Sequence, residues 1–163
     1  MPGMVRWPEE IPAGILSDEL VCGVDILPIF CKITGIEVPN DRKIDGEPVF
    51  NAFLNKPVKH KNPYLWIFPT HEDTWYRMPH MAVRTGDFVL LGWFPPKKAE
   101  EKLVPWMTHS VPVKFELYDI LKDPGQTRDL SGESPEILKR MSDMMTRQWL
   151  DIRKEYVELT GIN

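Results

Sequence analysis

The chain has 163 residues, 42% of them hydrophobic, with a formal net charge of -4 and two cysteines. That supports one core with an attached segment, gives no excess of positive charge to hold nucleic acid, and excludes a disulfide scaffold. No apolar run approaches the ~20 residues of a bilayer-spanning helix, so neither nucleic acid nor membrane is an expected partner. The start shows neither charged leader nor apolar signal core, which leaves the compartment undetermined.

In chain order, residues 4–7 and 20–24 are short, nearly continuous apolar runs, which predict strands buried on both faces of a parallel sheet. Asp25 is placed to cap a helix over residues 26–34, with Pro28 tolerated in the first turn and Gly35 ending it. Leu27, Phe30 and Cys31 share its expected core side. Residues 39–57 are turn-rich and make the passage between two regions. Beyond them, residues 64–68, 81–83, 88–93 and 111–117 predict four strands, with a hairpin turn at Gly86-Asp87 and a polar loop over 95–105. Asp123-Pro124-Gly125 stops the last strand with fixed and left-handed angles. Ser134 is the expected N-cap and Pro135 the first residue of a terminal helix. Ile137, Met141, Met144 or Met145, Trp149, Ile152, Tyr156 and Leu159 form one apolar stripe along it, which predicts a helix laid over an antiparallel sheet.

Candidate chemistry is sparse. His60, His71, His80 and His109 form no H-x-x-x-H or cysteine-bearing metal pattern, and neither a catalytic residue nor a metal site is assigned. The basic residues of 56–61 and Lys97-Lys98 suit solvated loops. Nothing marks one serine as activated, no carboxylate pair stands out for glycoside hydrolysis, and glycine-rich phosphate loops are absent. The densest polar cluster is His71-Glu72-Asp73, followed closely by Trp75, Tyr76 and Arg77. Rings beside carboxylates and a guanidinium suit sugar recognition, by stacking on C–H faces and bonding hydroxyls.

One segment is specific in its wording. FELYDILKDPGQTRDL (115–130), before an amphipathic terminal helix, resembles the C-terminal end of a type I, formylglycine-dependent sulfatase or arylsulfatase. Pro2-Gly3 through Trp7-Pro8, then Ile11 and Gly14, resembles that family's "P-x-x-x-x-W-P-x-x-I-x-x-G" segment. Asp25-Ile-Leu-Pro28 with Gly35 and Pro39 resembles its "D-(I/L)-x-P-T … A-G-x-x-x-P" helix, with Ile29 and Thr34 as departures. Arg42 through Asp45-Gly46 matches "R-x-x-D-G", and Ala82-Val83-Arg84 with Gly86 resembles "A-V-R-x-G". The resemblance implies an α/β fold that is α+β in its C-terminal part. Residues 1–56 would be the tail of an alkaline-phosphatase-like α/β domain. Residues 57–163 would be a C-terminal subdomain of four antiparallel strands and one helix. It also implies that loops of this subdomain rim the substrate pocket, which makes His71, Asp73, Trp75 and Arg77 substrate-binding candidates.

The same resemblance implies what else a working enzyme requires. The family's nucleophile arises from a Cys or Ser in C/S-x-P-x-R, but Gly-Val-Asp follows Cys22 and Lys-Ile-Thr follows Cys31. The family's calcium-binding Asp-Asp and Asp-Asn/Gly pairs have no counterpart. The chain is therefore expected to be inactive alone, with calcium and formylglycine belonging to a full-length parent. Three readings follow: a C-terminal sulfatase fragment, a subunit of a split sulfatase pairing with a separate N-terminal portion, or a stand-alone glycan- or protein-binding module. Sulfated glycan or aryl sulfate is the implied substrate of the whole enzyme, and exposed strand edges predict self-association or a loosely ordered first fifty residues.

Overall fold

A computed structural model describes residues 3–68 and 79–161. The chain divides into two compact units, Met1–Asn62 and Pro63–Asn163. The first contains helix α1 (Ile26–Thr34) and two 3-10 turns, Gly23–Asp25 and Phe50–Leu54. Residues 4–7 and 20–22 are irregular chain, and Gly23 and Val24 belong to the first 3-10 turn, rather than to the expected strands. An apolar run becomes a strand only when a neighbour takes its N–H and C=O groups, and the described sheet contains no residue of this unit. α1 holds Pro28 near its start and ends at Gly35, whose φ of +72° is left-handed. Its buried residues are Pro28, Ile29 and Cys31. Leu27 and Phe30 are exposed instead, Phe30 by 58%; helical spacing identifies a shared face but not what lies against it.

The second unit is an antiparallel sheet in the order β1 (Tyr64–Ile67), β2 (Met81–Thr85), β3 (Phe88–Trp93), β4 (Lys114–Asp119). Thr85 pairs with Phe88 across the Gly86-Asp87 turn, where Gly86 has a φ of +55°. β4 begins at Lys114 rather than residue 111, opposite Trp93; Pro112 has no N–H to offer a ladder. Met81, Val83, Leu90 and Leu117 point to one face, where Met141, Met145 and Trp149 of α3 (Pro135–Thr160) complete the core. Burying such side chains contributes about 1.5–3 kcal/mol each. Ser134 stands at the N-cap position, but its side chain makes no capping bond. Leu159, expected on the core stripe, is 80% exposed.

The predicted loop over 95–105 gives way to a short helix, α2 (Leu103–His109), which inserts Trp106 into the core. The lysines and glutamates of residues 97–102 hide the helix in the sequence, because only one of its two turns carries a buried side chain. No helix among the described residues is long and apolar enough to cross a membrane.

Candidate functional site

His71, Asp73, Trp75 and Arg77 all fall in residues 69–78, outside the described residues. What is described is the frame where β1 ends and β2 begins. The Phe68 N–H donates to the His80 carbonyl at 2.8 Å, and the His80 N–H donates to the Gly92 carbonyl at 2.9 Å. The Phe94 N–H donates to Nδ1 of the His80 ring at 3.0 Å. That ring stacks on Phe94 with centroids 5.2 Å apart and meets Trp106 edge-on at 5.3 Å. Because Nδ1 accepts, the neutral ring carries its proton on Nε2, and burial lowers the His80 pKa. Nothing in the sequence separates His80 from the other three histidines, since its partners lie 12 to 26 residues away.

The family-like segment after β4 is a self-closing loop. The Asp123 carboxylate accepts the amides of Thr127 and Arg128 at 2.6 and 2.8 Å. Its pKa is lowered chiefly by the Arg128 amide, which outweighs partial desolvation. The left-handed residue here is Gln126, with a φ of +52°, rather than the expected Gly125. Asp129 Oδ1 accepts the Leu117 and Ser131 amides at 3.0 and 2.8 Å, and the Leu130 N–H donates to the Leu117 carbonyl at 2.8 Å. Desolvation raises the Asp129 pKa, but these bonds prevail and leave it lowered. Both outward groups of Leu117 on edge strand β4 are thereby satisfied, which blunts that edge. On the strand itself, the Tyr118 hydroxyl donates to Glu116 at 2.9 Å. Burial first and this carboxylate second push its pKa up to about 12.

Two other family-like blocks meet at Asp25, which is fully buried. Its carboxylate makes no bond to the α1 amides, which corrects its expected role as that helix's cap. Oδ2 instead accepts the Cys22 amide at 2.7 Å, closing the 3-10 turn, and Oδ1 accepts the Glu47 amide at 2.9 Å. Gly46 presses against the backbone of Val24 and Asp25, and a Cβ there would overlap the Val24 carbonyl. The spacing between Asp25 and Asp45-Gly46 is therefore that of two loops locked through one carboxylate. Glu47 in turn accepts the Lys61 amide at 2.7 Å. A cleft of about 430 Å³ lies between residues 44–51 and 57–62, and Lys59 and Lys61 share its lining with Asp45 and Glu47.

Ser110-Val-Pro112-Val-Lys114 comes within one side chain of the nucleophile motif, with Lys where Arg would stand. Its geometry is structural. Ser110 is 6% exposed, its hydroxyl donates to the Trp106 carbonyl at 2.6 Å, and its own carbonyl accepts Trp149 Nε1 at 2.8 Å. Cys31 is buried and Cys22 half-buried. Among the described residues, no group of three or more His, Cys, Asp or Glu is arranged to hold a metal ion.

Residues 1–155 match the family model described as N-sulphoglucosamine sulphohydrolase, C-terminal. The N-acetylglucosamine-6-O-sulfatase of Bacteroides thetaiotaomicron is 28% identical over 152 residues, covering 89% of this chain and 23% of that protein. Human steryl-sulfatase is 27% identical over 162 residues, covering 90% of this chain and 27% of that protein. The solved structure of BT4656 in complex with its substrate D-glucosamine-2-N,6-O-disulfate shares the fold with a TM-score of 0.59 at 23% identity, over 95% of this chain and 28% of that one. The chain thus spans about a quarter of the length of these relatives. It belongs to the N-sulphoglucosamine sulphohydrolase C-terminal family and is a C-terminal portion of a sulfatase.

Proposed function

We propose that this chain completes the fold of a sulfuric ester hydrolase acting on a sulfated glycan, and that His71, Asp73, Trp75 and Arg77 line the rim of its substrate pocket. The observation that carries the proposal is the family match running through residues 1–155, across both compact units. The family description and the Bacteroides relative support an amino-sugar sulfate as substrate. The described residues do not fit a calcium site, and the sequence holds no complete C/S-x-P-x-R segment. Nucleophile and metal accordingly belong to an N-terminal sulfatase portion, and this chain contributes substrate contact and architecture rather than bond cleavage. Trp75 would stack on the sugar ring, and Arg77 would face sulfate or hydroxyl oxygens.

The test compares sulfate release from N-acetylglucosamine 6-sulfate by the chain alone and by the chain joined to a sulfatase N-terminal portion carrying C/S-x-P-x-R. Release is expected from the joined protein only. Within it, Trp75→Ala and Arg77→Ala should each raise KM about tenfold, the worth of roughly 1.4 kcal/mol of substrate binding, with kcat little changed. Turnover by the isolated chain would overturn the non-catalytic assignment. Unchanged KM in both variants would remove residues 69–78 from the pocket rim.

A further inference from the structure

We propose that His80 is a proton-sensitive latch, which joins the end of β1, the end of β3 and α2 only while its imidazole is neutral. The geometry makes the ring an obligate acceptor. The Phe94 N–H points at Nδ1 from 3.0 Å, so a proton on Nδ1 would set two donors against each other and leave the Phe94 amide without its acceptor. The same residue's backbone bonds Phe68 on one side and Gly92 on the other. Displacing the ring therefore pulls on two strands at once. Phe94 stacks on one face, Trp106 meets the ring edge-on, and Phe94 continues to Trp149 at 5.3 Å. The movement would reach α2 and the middle of α3 through those rings.

Among the described residues, the charged group of β2 is Arg84, whose Nε donates to the Gly86 carbonyl at 3.4 Å. β3 (Phe88–Trp93) carries none. On α2 the titratable group is His109, whose Nδ1 lies 2.7 Å from the Pro105 carbonyl, with Lys102 just before the helix. Tyr64 is the titratable group of β1, Lys114 of β4 sits over Trp93 at 4.5 Å, and Arg153 of α3 reaches the Ser110 carbonyl at 3.5 Å. Burial alone accounts for the lowered His80 pKa, in keeping with a ring that stays neutral where an exposed histidine would already be charged. The latch is independent of the proposed substrate role, because it uses no residue of 69–78.

The test is amide hydrogen exchange, read by NMR on the whole 163-residue chain, from about pH 8 to about pH 5, the span of histidine titration. After correction for intrinsic chemistry, exchange at Phe94 and Phe68 should quicken at least about tenfold as the His80 ring titrates. His80→Asn keeps an acceptor oxygen near the Nδ1 position but cannot titrate, so it should hold Phe94 protected and lose the acid response. Wild-type protection that stays constant while His80 takes up its proton would overturn the latch. An acid response that persists in full in His80→Asn would also overturn it, by assigning the response to another group.

Discussion

Replacing Gly46 by alanine tests whether the Asp25 lock holds the first unit together. The glycine is not there for a left-handed turn, since its φ is not among the positive values. It is there because the backbone of another loop occupies the place of its side chain: an added Cβ would overlap the Val24 carbonyl and stand 2.8 Å from the Asp25 Cα. Backbone atoms cannot swing aside as a side chain does, so the two loops must part. Overpacking of this kind costs about 1–3 kcal/mol. Parting the loops also strips the Glu47 amide from the buried Asp25 carboxylate, a charge-assisted bond worth about 1.5–3 kcal/mol. The total, about 2.5–6 kcal/mol, is comparable with the entire stability of about 3–9 kcal/mol that a unit of this length holds. The assay is urea unfolding with exchange protection at the Cys22 and Glu47 amides, using Gly23→Ala as control because no atom lies within 4 Å of its added Cβ. Gly46→Ala should abolish protection at both amides while the control stays within about 1 kcal/mol of the parent. A Gly46→Ala protein within about 0.5 kcal/mol of the parent would refute the lock.

Gly92→Ala should be milder, about 1 kcal/mol by thermal unfolding, because its new Cβ meets the Met145 Sδ at 2.7 Å, the movable end of a flexible side chain. A loss as large as that of Gly46→Ala would contradict this distinction. Trp149→Phe keeps most of the ring but abandons the Ser110 carbonyl, for an expected loss of about 1–3 kcal/mol; Trp149→Ala should lose about 3–5 kcal/mol. Tyr118 ties stability to alkaline pH. Its folded pKa of about 12 exceeds the ordinary 10.0, so the unfolded chain ionises first and stability falls as pH rises from 10 toward 12. The loss should approach ~2 kcal/mol and vanish in Tyr118→Phe, with absorbance at the phenolate band reporting the delayed ionisation. Asp129→Ala should free the Leu117 amide on the β4 edge and raise the tendency to associate through that strand, measured by sedimentation at increasing concentration.

The elements that rest on local chemistry were legible in the sequence. α1 runs from Ile26 to Thr34 and is capped by Gly35, because a proline suits the first turn and a glycine the left-handed end. The β2–β3 hairpin turns at Gly86-Asp87 for a similar reason, and the terminal helix starts at Pro135. The order of family-like blocks was legible too, and it was enough to identify a sulfatase C-terminal portion. Elements that need a distant partner were not. Residues 4–7 and 20–24 have the composition of strands, but a ladder is made by two chains of atoms and no sheet neighbour meets them among the described residues. α2 was hidden because its one buried anchor, Trp106, has meaning only against Phe94 and His80.

Site chemistry divides along the same line. Residue type made His71, Asp73, Trp75 and Arg77 candidates for binding a sugar, and all four lie outside the described residues. What Asp25 and His80 do could be decided only in three dimensions. The Asp25 acceptor role depends on an amide 22 residues away, and the His80 tautomer depends on an amide 14 residues away. Sequence determines which groups a chain possesses and the short-range angles they favour. Tertiary structure decides which buried donor faces which acceptor, because removal from water makes each such pairing obligatory.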